Sequence, residues 1–354
     1  MNKYVKRYLI DAMGGMAQGL FASLLIGTIV KTLGQQLLRL GANPVFEFFV
    51  SAGNFACEAH VVGAAMAVGI GYVMGASSLV LFTLVAVGAA ANVSGGAGGP
   101  LAVLIIAVLS CECGMLVSKK TKVDIIVTPL VTIAAGVFFT LLFASHIGKA
   151  AYSFGNLIIW ATTLKPFLMG ILISVIVGIL LTLPVSSAAV CAALGLTGLA
   201  GGAAVAGCCA QMVGFAVMSF KENSWSGILS QGLGTSMLQM PNIVKNPRIW
   251  IPPTLASVIT GPIATCVFKM QMNGAAVSSG MGTCGLVGQI GIITGWFEPS
   301  QAAVAHGAVA VLPGIFDWFG LALVCFVLPA IFSVLFCSIL RKIGWIKDGD
   351  LLLQ

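Results

Sequence analysis

Long apolar runs alternate with short polar or glycine-rich breaks along the whole chain. Helical spans of the hydrocarbon layer, which need roughly 20 apolar residues, are expected from about Gly14 to Leu33, Phe55 to Met74, Ser77 to Asn92, Pro100 to Val117, Ile125 to Ser145, Pro166 to Leu183, Ala203 to Phe220, Ile249 to Met270 and Phe319 to Leu340. The runs are far longer than the roughly 10-residue alternating strands of a membrane barrel, and open sheet edges cannot face lipid. The pattern therefore predicts an all-α polytopic membrane protein. Basic residues flank the runs at Lys3, Lys6 and Arg7, at Lys119, Lys120 and Lys122, at Lys245 and Arg248, and at Arg341, Lys342 and Lys347. Placing all of them in the cytoplasm puts both termini inside and requires an even number of crossings. About ten are expected, with one crossing or paired half-crossings hidden beside the visible runs.

Three segments are too broken for ordinary spans and too apolar for ordinary loops: Ser186 to Gly202, Gln231 to Pro253, and Asn273 to Gly295. Each glycine costs a helix about 1 kcal/mol relative to alanine, so these segments predict turns or hairpins at membrane depth. Irregular backbone survives there only when buried in protein or lining a wet cavity. Short Gly/Pro-interrupted segments of this kind point to a transporter's solute site. For Ser186 to Gly202, close packing of small residues between helices explains the composition equally well. The break NVSGGAGGP, Asn92 to Pro100, reads as a plain turn, with a small half-crossing as the alternative. Lys31 to Phe49 and Gly148 to Lys165 mix apolar and charged positions; the second carries Tyr152 and Trp160, as a helix at the headgroup level would.

Composition agrees: 59% of the 354 residues are hydrophobic and 8% charged, and the mean hydropathy is +1.07. No soluble domain is left over. The net charge of +7 belongs to the flanks and implies no nucleic-acid partner. Ten cysteines lie mostly within apolar runs as small hydrophobes, so neither a disulfide framework nor a metal site is expected. The start MNKYVKRYLIDAMGG reads as a cytoplasmic flank, not a signal peptide.

Ionisable residues inside a bilayer are costly and face a cavity or a partner. Glu58 follows Asn54 by one turn, so both are expected on one helical face, where they could grip hydroxyls or carry a proton; solvation of Glu58 at the interface is the competing reading. Glu112 and His146 are expected at interfaces. His306, in apolar AVAHGAVAVLPG, offers a ring that both donates and accepts; a structural histidine with its hydrogen bonds satisfied is the competing reading. No phosphate loop, paired carboxylates or activated nucleophile is found, so no catalytic residue or cofactor is expected on the chain. Hydroxyls and amides with few charges suit a neutral polyhydroxy ligand. The candidate solute-binding residues are Gln231, Thr235, Gln239, Asn242 and Gln289, with Glu58 and His306; for any one of them a hairpin-stabilising hydrogen bond to backbone is the competing reading.

The stretch PNIVKNPRIWIPPTLASVITGPI resembles the membrane-embedded IIC component of bacterial sugar phosphotransferase systems (PTS). Gly232, Gly234 and Pro241 stand where the glucose- and lactose-type members have a glycine-rich turn and its exit. Asn246, Pro247, Ile251 and Pro252 then lead into a span through Thr265. The chain is most similar to a divergent branch that includes PfoR-like regulators. This resemblance implies a homodimer in the bacterial cytoplasmic membrane, with residues 1–147 as scaffold and subunit contact, 148–165 as connector, and 166–354 as a solute-binding half that moves like an elevator. It also implies separate IIB and IIA partners that phosphorylate the sugar, since all of this chain is used by the membrane part. Thr235 and Ser236 replace the glutamate of the family turn. A sensor on the same scaffold and a proton-coupled carrier are the alternatives to a permease.

Overall fold

The apolar runs become helices because a chain surrounded by hydrocarbon must satisfy its backbone internally. The computed structural model describes residue 4 and residues 6–39 and 41–353. Lys3 and the two terminal residues, which the charge pattern assigns to the cytoplasm, lie outside the described residues. Among the described residues, six helical runs are long and apolar enough to cross a membrane, and a bent pair makes a seventh. With this all-helical core and the broken segments described below, the chain is a polytopic α-helical membrane protein. It divides into two units, Met1–Tyr152 and Ser153–Gln354.

In the first unit, α1 (Lys6–Leu38) is followed by α2 (Pro44–Ala56) and α3 (Ala59–Val73). Asn43 caps α2 by accepting from the Val45 amide at 2.9 Å, with Pro44 pre-set for the first turn. The segment Lys31 to Phe49 is thus the end of α1 and the start of α2, folded against each other, with Gly34 against Val50. The helical run Ser78–Val117 doubles back at Gly96, whose φ of 53° is a conformation glycine adopts without a Cβ penalty. It forms an antiparallel pair, α4 (Ser78–Gly95) and α5 (Gly99–Val117), so the expected turn at Asn92 to Pro100 is a tight one. Helix α6 (Asp124–Thr162) is one run that continues through Gly148 to Thr162 by way of a π-helical stretch, Thr140–Ala144.

The second unit is organised around α9 (Gly198–Met218), which is buried along almost all its length. Helix α7 (Pro166–Thr182) lies beside it in the same direction: Gly178 meets Gly207, and Thr182 reaches Gln211. A Cβ at Gly207 would overlap the Ser174 carbonyl, so the helices approach at backbone distance. The short α8 (Ser187–Ala193) connects them. Helix α12 (Pro247–Val267) runs opposite to α7, with Ser174 donating to the Ser257 carbonyl at 2.8 Å. Helix α14 (Ile315–Lys342) closes the bundle. The core joins Val205, Cys209, Ala264, Phe268, Ile292 and Val324.

Candidate functional site

Two hairpins enter the second unit from opposite ends of α9. The first begins with α10 (Phe220–Leu229), passes through a π turn (Ser230–Gly234), extends at Thr235 and returns as a 3-10 turn (Ser236–Gln239) and α11 (Met240–Lys245). The chain reverses because Thr235 leaves helical space (φ −158°, ψ 144°) and its hydroxyl accepts from the Met237 amide at 3.1 Å. This hairpin stands on the C-terminal end of α9, where Gln231 Nε2 donates to Ser219 Oγ at 2.9 Å.

The second hairpin starts at the N-terminal end of α9. Gly198 and Met272 exchange backbone hydrogen bonds of 3.0 and 2.9 Å. The chain then makes 3-10 turns at Ala276–Gly280 and Cys284–Leu286 and returns as α13 (Val287–Phe297). Ser187 donates to the Gly280 carbonyl at 2.7 Å and Ser279 to the Leu196 carbonyl at 2.6 Å, tying this hairpin to α8. The tips meet beside the middle of α9: the Thr283 hydroxyl donates to the Gly232 carbonyl and lies 3.5 Å from Met212 Sδ.

A cavity of about 550 Å³ opens at the base of the second hairpin, with Thr162, Thr197, Gln271, Asn273 and His306 in its walls. Its volume lies within the usual range for small-molecule sites. His306 Nδ1 is 2.9 Å from the Ala302 carbonyl. Because a carbonyl can only accept, Nδ1 holds the proton and Nε2 of the neutral ring is an acceptor. A smaller cavity of about 180 Å³ shares Gln271 and Asn273 and adds Phe268, Lys269, Trp296 and Asp317. Lys269 sits in the left-handed region (φ 46°) where α12 ends, with the Met270 amide reaching back to the Ala264 carbonyl at 2.8 Å. Glycine is the default there, and a side chain costs about 1 kcal/mol.

The structure brings Gln231, Gln239 and Asn242 together and places the other candidates elsewhere. Gln239 Nε2 donates to Gln231 Oε1 at 2.8 Å and to the Leu351 carbonyl at 2.9 Å. Asn242 Nδ2 donates to Gln239 Oε1 and to the Leu352 carbonyl, both at 2.8 Å. Asn223 continues the set by bonding the Leu351 carbonyl and the Leu353 amide. The amides thus hold the C-terminal segment. Thr235 is buried at the first tip. Gln289 donates to Cys209 Sγ at 3.1 Å, and its buried Oε1 has no partner among the described residues.

Glu58 is exposed in the first unit. The expectation that it shares a helical face with Asn54 is corrected: α2 ends at Ala56, Glu58 is extended (φ −60°, ψ 137°), and α2 and α3 meet at a 58° bend. Helical spacing does not carry across that break. Glu112 pairs with Arg7 at 2.9 Å, and exposed His146 bonds the Leu142 carbonyl at 3.0 Å.

Sequence reasoning missed a buried polar cluster around Gln211. Its Oε1 accepts from Trp250 Nε1 at 3.0 Å and from Thr182 Oγ1 at 3.3 Å, while its Nε2 donates to Thr254 Oγ1 at 3.2 Å. Thr182 also shares a 2.8 Å hydrogen bond with Ser236 at the first tip. A lone glutamine within the otherwise apolar GCCAQMVGF was the available signal.

No curated protein and no solved structure matches the chain. A family model described as phosphotransferase system, EIIC, matches residues 10–353. With nearly the whole chain matched and its helices apolar enough to span a bilayer, the protein belongs to the EIIC family and is a multi-pass membrane permease component of a phosphotransferase system.

Proposed function

We propose that this permease binds and translocates a small neutral polar solute, a sugar, through an elevator-like movement of residues 166–354. Residues 1–147 form the scaffold and homodimer contact, and 148–165 connect the two. The observation that carries the proposal is the pair of opposed hairpins that meet at Thr283 and Gly232, the second of which has at its base a cavity with hydroxyl, amide and imidazole groups in its walls. A polyhydroxy solute leaving water needs both donors and acceptors, and Thr162, Thr197, Gln271, Asn273 and His306 offer both. At the tips, Thr235 and Gln289 are the solute contacts of the occluded stage. Gln231, Gln239 and Asn242 act on the same hairpin, and Glu58 is the candidate proton carrier on the first unit.

The basic residues Lys245, Arg248 and Arg341 mark the cytoplasmic face of a bacterial inner membrane. Separate IIB and IIA proteins would phosphorylate the solute there. Thr235 and Ser236 supply hydroxyls and no carboxylate at the first tip, which favours sensing without coupled phosphorylation as the second reading. Uptake of labelled sugars into proteoliposomes, with and without the cognate IIB, separates the two. Sugar-induced thermal stabilisation that His306→Ala and Thr197→Val both weaken is expected. Equal stabilisation of both variants and the parent would refute the cavity as the site.

A further inference from the structure

The two cavities of the second unit share Gln271 and Asn273 as a common wall. Gln271 is exposed at that wall, while Asn273 is buried and donates to Gln271 Oε1 at 3.0 Å. The amide pair is therefore fixed between two spaces of different character. The larger is lined by hydroxyls, small and aliphatic residues and His306. The smaller combines an aromatic wall with two opposite charges that do not pair: among the described residues Lys269 has no acidic partner within ion-pair distance, and Asp317 Oδ2 accepts from the Gly314 amide at 2.7 Å. Trp296 stands edge-on to Trp318 at 5.0 Å between ring centroids, which fixes its orientation. An aromatic face beside a charged donor and a charged acceptor matches a sugar ring, whose C–H face is apolar and whose hydroxyls both donate and accept.

Lys269 strengthens this assignment. It occupies a left-handed position that glycine would fill without strain. A lysine placed there at a backbone cost points to work done by its side chain. Its neighbours in the chain supply backbone bonds that any residue could supply.

Building on the sugar-permease reading, we propose that the smaller cavity is a second ring subsite, so that the transported solute is a disaccharide or glycoside lying across Gln271 and Asn273. One ring is held by Lys269, Asp317 and Trp296, and the remainder lies in the larger cavity with His306.

The test measures thermal stabilisation and binding of the purified full-length protein with a panel of disaccharides and their component monosaccharides. The proteins compared are the parent, Lys269→Gly, Asp317→Asn and His306→Ala. Lys269→Gly relieves the left-handed strain, so it should fold and melt no lower than the parent without ligand. At least one disaccharide should bind the parent tenfold or more tighter than either component. Lys269→Gly and Asp317→Asn should each remove most of that advantage. His306→Ala should weaken both ligands. A monosaccharide that binds as tightly as every disaccharide, or a disaccharide advantage that survives Lys269→Gly, overturns the second subsite and leaves the sugar reading standing. Absence of binding by any saccharide to the parent overturns both.

Discussion

Replacing Gln239 by methionine keeps the side chain's length and removes its hydrogen bonds. Gln239 is fully buried and joins three groups: Gln231 Oε1, the Leu351 carbonyl and Asn242 Nδ2. After substitution the Leu351 carbonyl still accepts from Asn223, and Asn242 still donates to the Leu352 carbonyl. Gln231 Oε1 loses the Gln239 donor. An orphaned buried oxygen costs roughly 1–3 kcal/mol, and each further lost bond about 0.5–1.5 kcal/mol, so the expected destabilisation is about 3 kcal/mol. Thermal unfolding in detergent, with limited proteolysis of the last ten or so residues, measures it. Because Gln239 and Asn223 share one acceptor, Gln239→Met and Asn223→Ala should be non-additive. A loss below about 0.5 kcal/mol, or strictly additive effects, would refute the idea that these amides fasten the C-terminal segment. Unchanged stability with lost solute binding would instead identify Gln239 as a direct solute contact.

Arg341 pairs with Glu222 at 2.5 Å, and the glutamate side chain is only 8% exposed. Arg341→Met strands that carboxylate and should cost about 3 kcal/mol, read as a lower unfolding midpoint that Glu222→Gln partly restores. Gly207→Ala forces a methyl into the Ser174 backbone carbonyl and should destabilise by about 3 kcal/mol; Ser174→Gly should give no rescue, because the obstacle is not a side chain. Gln211→Leu orphans Trp250 Nε1, costing about 2 kcal/mol, and should shift the tryptophan fluorescence of the folded protein. An unchanged spectrum would show that the Trp250 bond to Gln211 is absent in solution.

Helix positions were legible because apolar run length is a one-dimensional property. The breaks were legible too: Pro241 stands in the first turn of α11 and Pro247 opens α12, positions proline tolerates because its missing N–H has no partner to lose. The partners of the polar residues were not. Gln239 and Asn242 bond carbonyls more than a hundred positions further along, and no local pattern encodes which distant backbone arrives. The bend after Ala56 was also invisible, since NFACEAH holds neither proline nor glycine. Extending helical spacing across it therefore put Asn54 and Glu58 on one face. Lys269 went unnoticed because a lysine ending an apolar run reads as an interfacial anchor, and its left-handed backbone appears only in three dimensions.

The fastening of the first hairpin by the C-terminal segment also sets an order of events during synthesis. Gln239 leaves the ribosome 112 residues before Leu351, an interval of about 6–22 s at roughly 5–20 residues per second. Throughout that time its amide lacks the Leu351 carbonyl, and the neighbouring Asn242 lacks that of Leu352. A hairpin translated well before the end of the chain is thus completed only after the last helix has been inserted, so nascent chains arrested before Leu351 should retain an unfinished, protease-sensitive first hairpin.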